Sequence, residues 1–404
     1  MDPITTTPDL DDVLEVERIV AGGFGLAHEP EGRVVLVEGA LPGETVRVHL
    51  TEDRPRLARA VTDAVVVASP DRVDPPCPEL DRGCGGCDLQ HVRPAAQRDL
   101  KVAIVRDALS RTAGLDALPV DPGVVLPSER YRTTVRVGVI DGAAGFHRRR
   151  SDEVGAVDDC LVAHPLVAEV LVEGRFPGAR EVTIRAGART GERMAVITPT
   201  VGDGTSAPDD VRLIGTDELR AGRRAWLHEE VGGRRYRISA LSFFQARPDG
   251  AEALLDAVRR ALGDIDADQD RLVDLYGGVG LFAAGLGTRS PVLVERSASS
   301  VADARRNLDG TDATVLRVTV ERWRSSPADL VVADPARSGL GRPGVAAVAA
   351  TGARRVALVS CDPAALARDV GLLVDAGYRA LGVEMVDLFP HTHHVEAVTS
   401  LERR

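Results

Sequence analysis

Short apolar runs separated by turn-forming residues make up the N-terminal part of the chain, up to residue 67. The turns at 22–25 and 41–44 are rich in Gly or contain Pro-Gly, and the runs between them are only a few residues long. Short strands at such spacing are typical of small all-β barrels. We therefore predict a loose tail over residues 1–8 and a β-barrel domain over residues 9–67.

The pattern changes twice more along the chain. Residues 68–90 are rich in Pro, Gly and Cys and predict irregular structure, whereas apolar residues at helical spacing predict a helix over 95–112. Strand-like pieces follow at 131–140, 182–186, 194–198 and 236–239. We predict a mainly β central domain over residues 68–240, whose helix is a candidate to pack on the C-terminal domain.

In the C-terminal part, residues 241–404, strand-like and helical runs alternate, which is typical of a parallel α/β sheet. The predicted strands lie at 272–275, 292–295, 314–317, 330–333 and 355–360. The predicted helices lie at 251–261, 297–308, 344–351 and 364–375. In such a sheet, ligands bind at the carboxyl ends of the strands.

Composition narrows the class of protein. The chain has 404 residues, of which 44% are hydrophobic, and this content excludes general disorder. The formal charge of −11 argues against a simple nucleic-acid-coating protein. No apolar run is long enough to span a membrane and no secretory signal is evident, so we expect a cytoplasmic protein whose five cysteines are not disulfide-bonded. Lys101 is the only lysine.

A Gly-rich turn follows the first predicted strand of the α/β region. The segment from Asp274 to Gly280 reads Asp-Leu-Tyr-Gly-Gly-Val-Gly, and Glu295 and Asp334 end two later strands. This spacing differs from the dinucleotide fingerprint and resembles the Asp-x-x-x-Gly-x-Gly motif of class I S-adenosylmethionine methyltransferases. A turn without a ligand is the alternative, but acidic residues at three strand ends are hard to explain as solvated surface.

Two further residues suggest covalent chemistry. Cys361 stands where a strand ends and a helix begins, and the backbone N–H groups of a helix start should lower its thiol pKa. Glu396 lies between Val395 and Ala397 in an apolar, strand-like setting that should raise its carboxyl pKa and suit a base. The alternatives are a small buried cysteine and an exposed glutamate on an edge strand.

Four cysteines have metal-ligand spacing. Cys77, Cys84 and Cys87 form C-x6-C-x2-C, and Cys160 follows. Four thiolates can hold Zn²⁺ or an iron–sulfur cluster, and the spacing does not choose between them. Free thiols are the alternative. The histidines at 391, 393 and 394 match no zinc signature.

Together these motifs resemble one family over nearly the whole chain: the S-adenosylmethionine-dependent RNA uracil-C5 methyltransferases, which make 5-methyluridine in tRNA and 23S ribosomal RNA. The resemblance implies a TRAM RNA-binding barrel at 9–67 and a Rossmann-like class I methyltransferase domain at 241–404. It also implies a [4Fe–4S] cluster on Cys77, Cys84, Cys87 and Cys160. The implied S-adenosylmethionine contacts are Gln245, Tyr276, Gly278, Gly280, Glu295 and Asp334.

The resemblance further implies that Cys361 is the nucleophile and Glu396 the general base. We expect a monomer that flips a uridine out of structured RNA, with Arg148, Arg149 and Arg150 as candidates for backbone contact or merely a solvated turn. An RNA chaperone with a vestigial fold is the alternative, although binding alone needs neither Cys361 nor Glu396. A radical tRNA-modifying enzyme would need C-x3-C-x2-C, and a DNA cytosine methyltransferase would normally carry proline before its cysteine.

Overall fold

The computed structural model describes residues 13–404. The predicted tail at 1–8 and the predicted start of the barrel at 9–12 lie outside the described residues. Within the described part, no helix is long and apolar enough to cross a membrane.

The N-terminal sheet has six strands in the order β1-β5-β6-β4-β3-β2. In β5, Val46, Val48 and Leu50 are buried while the residues between them are exposed, as expected when one face of a sheet covers a core. β1 contacts β3 as well as β5, so the sheet curls towards a barrel. The strands are β1 (Leu14–Glu15), β2 (Arg18–Val20), β3 (Phe24–His28), β4 (Val34–Glu38), β5 (Thr45–Arg54) and β6 (Leu57–Val67).

A helix and a mostly antiparallel sheet follow. The helix is α1 (Pro94–Ala113), which begins with Pro94 at its first turn and ends at Gly114 with a positive φ of 64°. The second sheet has the order β10-β9-β8-β11-β12-β13. The elements are β7 (Val120–Asp121), β8 (Thr134–Ile140), β9 (Ala143–His147), β10 (Val154–Ala156), α2 (Pro165–Glu173), β11 (Glu181–Ala186), β12 (Arg193–Thr198), β13 (Val211–Gly215) and α3 (Thr216–Arg220).

The C-terminal part forms an eight-stranded sheet that is preceded by a hairpin and flanked by helices. A 3-10 turn lies at Val320–Arg322. The elements are β14 (Trp226–Val231), β15 (Arg234–Ser239), α4 (Pro248–Leu262), β16 (Leu272–Leu275), α5 (Leu281–Gly285), β17 (Val292–Glu295), α6 (Ala298–Asn307), β18 (Thr314–Arg317), β19 (Leu330–Ala333), α7 (Gly341–Thr351), β20 (Arg355–Ser360), α8 (Pro363–Asp375), β21 (Tyr378–Met385) and β22 (Ala397–Arg403).

This large sheet has the order β18-β17-β16-β19-β20-β22-β21-β7. The five predicted strands all form and pair in parallel, and both faces are covered, which explains their continuous apolar runs. The structure departs from a purely parallel sheet at β22, which runs antiparallel to both β20 and β21. The predicted strands did not include β21, and β22 was indicated only by the strand-like setting of Glu396.

Two segments from the predicted central domain pack on the C-terminal sheet. Helix α1 packs against α8, and β7 adds to the sheet beside β21. The β14–β15 hairpin shares its core with α4. The domain boundaries at residues 67 and 240 stay predictions. Helix α1 and strand β7 precede residue 240 in the chain but pack on the C-terminal sheet.

Candidate functional site

The Gly-rich turn lies directly after β16 and leads into α5. Gly278 and Gly280 have φ values of 54° and 91°, a region that side chains with a Cβ rarely adopt. A Cβ on Gly277 would lie 2.6 Å from Cγ of Leu293, whereas one on Gly278 would meet open space. The turn therefore needs glycine for packing at 277 and leaves its backbone accessible at 278.

Glu295 lies beside this turn, at the end of β17. Its carboxylate accepts hydrogen bonds from the backbone N–H of Gly278 at 3.2 Å and of Ser297 at 2.6 Å. These bonds hold the side chain over the turn, next to the open space at Gly278. A half-buried carboxylate in this place can accept the hydroxyls of a ribose.

Asp274 is fully buried beneath the turn. Burial raises its carboxyl pKa to about 8, the nearby charges of Asp334 and Glu295 add to the shift, and the N–H of Ala283, which donates to Oδ2 at 3.0 Å, opposes it. Its Oδ1 has no hydrogen-bond partner among residues 13–404. The structure thus brings together the three predicted acidic residues at the ends of β16, β17 and β19, as the order of strands in the sheet requires.

Tyr276 has a φ of 61°, which is strained for a residue with a side chain. Its hydroxyl oxygen is buried and has no hydrogen-bond partner in the described part of the chain, and it would lie 3.1 Å from a Cβ on Gly344. Strained backbone and unpartnered polar atoms are concentrated at ligand sites. Both observations fit a side chain that contacts a ligand.

Cys361 follows β20 and precedes α8, as predicted, but the predicted lowering of its pKa is wrong. Burial raises the thiol pKa to about 11, and the charges of Glu396 and Asp334 raise it further, while the guanidinium of Arg337 opposes them. At the helix start, the N–H of Ala365 is already bonded to the side chain of Asp362 at 2.8 Å and is therefore not free for the thiolate. The thiol is therefore protonated at neutral pH.

Glu396 is buried, so the edge-strand alternative is wrong. It immediately precedes β22, a strand with neighbours on both sides, and its exposed fraction is 5%. Burial raises its carboxyl pKa well above the usual range, and the adjacent charge of Asp334 adds to this. Burial likewise raises the pKa of Asp334. Two carboxyls this close favour a state in which one is protonated.

Strand direction explains how Cys361 and Glu396 meet. In the antiparallel pair of β20 and β22, Ser360 at the end of one strand faces Ala397 at the start of the other. The residue after Ser360 and the residue before Ala397 therefore extend beyond the same sheet edge. Asp334 at the end of β19, the neighbouring strand, completes the group.

Gln245 is buried and lies between β15 and α4, where it borders a small cavity lined also by Thr133, Arg185 and Phe244. Its segment is held by two side chains that the sequence analysis missed. Arg185 donates to the carbonyl oxygens of residues 239, 240 and 242, and Asp303 accepts from the hydroxyls of residues 239 and 242. Asp303 belongs to α6, so it ties this segment to the helix that follows Glu295.

The four predicted metal-binding cysteines lie in one region. Burial raises the pKa of the Cys84, Cys87 and Cys160 thiols, and each is raised further by the charges of other cysteines in the set, including Cys77. Among residues 13–404, however, no group of three or more His, Cys, Asp or Glu side chains has the arrangement of a metal site. The set of four thiols fits a metal or cluster in chemistry, and the buried, unpartnered Oε2 of Glu79 lies in the same segment.

The arginine turn at 148–150 contacts the protein rather than solvent alone. Arg149 donates to the carbonyl oxygen of Cys87 at 2.8 Å and to Glu38 of β4 at 3.0 Å. Arg150 lies 3.4 Å from Glu38, and Arg148 donates to the carbonyl oxygen of Arg82. These bonds connect the first sheet, the cysteine-rich segment and the second sheet.

The sequence analysis also gave no role to Arg337, Lys101 or Gln97. Arg337 has a charge that influences Cys361, and Lys101 is 1% exposed and donates to Asp387 at 2.7 Å. A lone lysine in an arginine-rich chain was a signal of this buried role. Gln97, one turn before Lys101 on α1, had no distinguishing feature in the sequence.

Comparisons with known proteins agree with this geometry. Residues 14–62 match the TRAM domain family. An uncharacterized RNA methyltransferase of Streptomyces avermitilis is 37% identical over 96% of this chain and 97% of its own. A relative from Chromohalobacter salexigens, named 23S rRNA (uracil(1939)-C(5))-methyltransferase RlmD, is 31% identical over 97% of this chain and 89% of its own. The chain belongs to the S-adenosylmethionine-dependent RNA uracil-C5 methyltransferase family with an N-terminal TRAM domain.

The solved structure of Pyrococcus abyssi tRNA (uracil-54, C5)-methyltransferase in complex with S-adenosyl-L-homocysteine has the same fold as this methyltransferase. It has a TM-score of 0.72 and 23% identity and covers 96% of this chain and 100% of its own. The predicted fold class is confirmed for its TRAM and methyltransferase parts. The chain is an S-adenosylmethionine-dependent RNA methyltransferase.

Proposed function

We propose that this RNA methyltransferase methylates C5 of a specific uridine in structured RNA, either 23S rRNA or tRNA. The observation that carries the proposal is the meeting of Cys361, Glu396 and Asp334 at one sheet edge, beside the Gly-rich turn. The names of the Chromohalobacter and Pyrococcus proteins support these two RNA classes. A thiol and a base with a raised pKa are the groups that C5 methylation of a pyrimidine needs.

Uracil C5 is a poor nucleophile, and Cys361 overcomes this by bonding to C6. The Cys361 thiol first loses its proton to solvent. As the thiolate forms the S–C6 bond, the C5–C6 electron pair moves towards the C4 carbonyl, and the resulting enolate makes C5 nucleophilic. S-adenosylmethionine, when bound, would supply the methyl group: C5 would bond to the methyl carbon as the S–CH3 bond breaks, which leaves S-adenosylhomocysteine. The guanidinium charge of Arg337 lowers the pKa of Cys361 and so favours its thiolate.

Glu396 then removes the proton from C5. The C5–H electron pair re-forms the C5–C6 double bond, and the S–C6 bond breaks and returns the thiolate. A carboxylate whose pKa is raised by burial binds a proton more strongly than a solvated one, which suits a base. Since Asp334 shares this environment, the proton that Glu396 removes from C5 can be shared by the two carboxyls until it passes to solvent.

The cofactor-binding proposal rests on the turn and its neighbours. Gly278 and Gly280 let the backbone approach a ligand closely, Glu295 is held where it can accept ribose hydroxyls, and Tyr276 offers an unpartnered hydroxyl. Asp334 and Gln245 complete the set. The segment before Gln245 is tied to α6, the helix that follows Glu295, by the hydrogen bond from the Ser242 hydroxyl to Asp303.

The [4Fe–4S] cluster on Cys77, Cys84, Cys87 and Cys160 is also a proposal. The four thiols lie within range of one another's charges, and thiolates are the ligands of such clusters. Anaerobic purification should give a brown protein with broad absorbance near about 400 nm, as thiolate-bound iron–sulfur centres do. A colourless protein with one zinc ion per chain would refute the assignment.

The TRAM sheet and the Arg148–Arg150 turn would receive the RNA backbone, while the target uridine leaves its stack to reach Cys361. Arg149 already bridges Glu38 and Cys87, so of the three arginines, Arg148 and Arg150 are the more exposed to RNA. Phosphate contacts of this kind position the RNA and do not read its sequence.

The function is tested with purified protein, S-adenosylmethionine and transcribed 23S rRNA or tRNA. Cys361→Ala should abolish 5-methyluridine formation while cofactor binding, measured by calorimetry, persists. Glu396→Gln should accumulate a covalent RNA–protein adduct that shifts on a denaturing gel. Glu384→Gln is the matched control, since Glu384 is a carboxylate on adjacent β21 that pairs with Arg260 at the surface. Turnover by Cys361→Ala would show that the nucleophile is another group.

A further inference from the structure

The segment of residues 386–396, which ends at Glu396, connects β21 to β22 and is held mainly from outside its own sheet. The two ends of the segment are joined beside the sheet by one backbone hydrogen bond, in which the N–H of Val386 donates to the carbonyl oxygen of Glu396 at 2.8 Å. We call this segment the base loop. The middle of the base loop is hydrogen-bonded to residues of the cysteine-rich segment and of α1, which are distant in sequence.

Asp88 makes the first set of hydrogen bonds to the base loop. Its carboxylate accepts a hydrogen bond from the backbone N–H of His393 at 2.8 Å, and its other oxygen bonds Nδ1 of the same histidine. The backbone N–H groups of Asp88 and Leu89 both donate to the carbonyl oxygen of His391, at 3.1 and 2.9 Å. Residues 88 and 89 therefore bind the base loop through both its main chain and a side chain.

Gln97 on α1 makes the second set of hydrogen bonds to the base loop. Its Oε1 accepts from the N–H of His391 at 2.7 Å, and its Nε2 lies 3.2 Å from Nδ1 of that histidine. The Gln97 amide also donates to the carbonyl oxygens of Leu89 and Val92, so Gln97 connects the segment around residue 89 to the base loop. His391 has a φ of 66°, a strained conformation that persists only when its surroundings impose it.

The last of these hydrogen bonds is made by His393, three residues before Glu396. The ring of His394 lies 4.3 Å from that of His393, and the charge of Arg337, which also acts on Cys361, reaches His394. The path of residues 393–395, and with it the direction in which the Glu396 side chain leaves the loop, is therefore set by where His391 and His393 are held.

We propose that Asp88 and Gln97 are positioning residues for Glu396: they act on removal of the C5 proton and not on formation of the S–C6 bond. This inference rests on the proposed function. Asp88 directly follows Cys87, so the same contacts join the cysteine-rich segment to the catalytic edge of the sheet.

The test isolates the proton-removal step. Asp88→Ala is compared with wild type on transcribed 23S rRNA and tRNA whose uridines carry either hydrogen or deuterium at C5. We expect kcat to fall roughly tenfold, the size of a misplaced general base, with a deuterium effect on kcat larger than that of wild type. The covalent RNA–protein adduct should also accumulate during turnover, because its formation is unimpaired.

Two variants and one control complete the design. Asp88→Asn keeps an acceptor for the N–H of His393 and should recover most of the activity, and Gln97→Met should reproduce the Asp88→Ala behaviour. Asp71→Ala is the control, because Asp71 pairs with Arg93 at 38% side-chain exposure, against 33% for Asp88, and does not touch the base loop. It should show wild-type adduct levels and the wild-type isotope effect.

The outcomes separate the two levels of inference. Suppose Glu396→Gln accumulates adduct but Asp88→Ala and Gln97→Met lose activity with no adduct and no change in isotope effect. The positioning role is then refuted and the contacts are merely structural. Suppose instead that Glu396→Gln forms no adduct. The proposed function then fails at Glu396, and the positioning role fails with it.

Discussion

The pKa of Cys361 gives the sharpest single test of the electrostatics at this site. The raised pKa of about 11 means that roughly one thiol in ten thousand is ionised at pH 7, and that the thiolate fraction grows about tenfold with each pH unit up to pH 10. A thiol of ordinary pKa would instead approach saturation above pH 9. The two cases differ most between pH 9 and pH 10, where the ordinary thiol gains less than about twofold.

The assay is alkylation of the free enzyme with limiting iodoacetamide, followed by mass spectrometry of the peptide that contains Cys361. The rate should still rise about tenfold between pH 9 and pH 10, because the thiolate is the reactive form. Tryptophan fluorescence at each pH checks that the fold persists.

Two substitutions resolve the causes of the shift. Glu396→Gln removes a neighbouring negative charge, so the pKa of Cys361 should fall and alkylation at pH 9 should accelerate. Arg337→Gln removes the opposing cation and should slow alkylation at the same pH. A plateau below pH 9 in the wild-type protein, or a slower reaction in Glu396→Gln, would refute the electrostatic account.

Three further predictions concern the elements around the site. Lys101→Met should lower the free energy of unfolding in urea by about 3–5 kcal/mol, because it leaves the Asp387 carboxylate buried without its partner at 2.7 Å. Lys101→Met combined with Asp387→Leu should recover much of that loss, and a double variant no more stable than the single one would contradict this. Gly277→Ala should reduce stability by about 1–3 kcal/mol, since its Cβ would lie 2.6 Å from Leu293. Gly278→Ala meets open space within the protein but places a Cβ at a φ of 54°, so it should lower the free energy of unfolding by about 1–2 kcal/mol. It should also weaken S-adenosylhomocysteine binding in calorimetry, because the added methyl group would occupy the space beside the turn; equal affinity to wild type would argue against a ligand there.

The local parts of this protein were readable from its sequence. The strands at 272–275, 292–295, 314–317, 330–333 and 355–360 appear at their predicted bounds, because buried parallel strands are continuous apolar runs between helices. The Gly-rich turn was equally readable, since positive φ values at Gly278 and Gly280 restrict the residue type. The acidic residues at strand ends followed from the alternation of strand and helix.

Contacts between distant segments were not readable in the same way. The lowered thiol pKa was expected for Cys361 from its position at a helix start alone. In the structure, the carboxyls of Asp334, after β19, and of Glu396, before β22, raise that pKa. Likewise, nothing in the local pattern of residues 386–396 shows that Asp88 and Gln97 hold them.

The sequence by itself therefore determined which elements form and which chemical groups the chain carries: a thiol, a base, a Gly-rich turn and a set of four cysteines. Only the tertiary structure decided their ionisation and their grouping. Periodicity and turn chemistry depend on neighbours along the chain, whereas a pKa depends on burial and on charges that come from any part of it. The antiparallel return of β22 beside β20 is the step that converts Cys361 and Glu396 from separate motifs into one site.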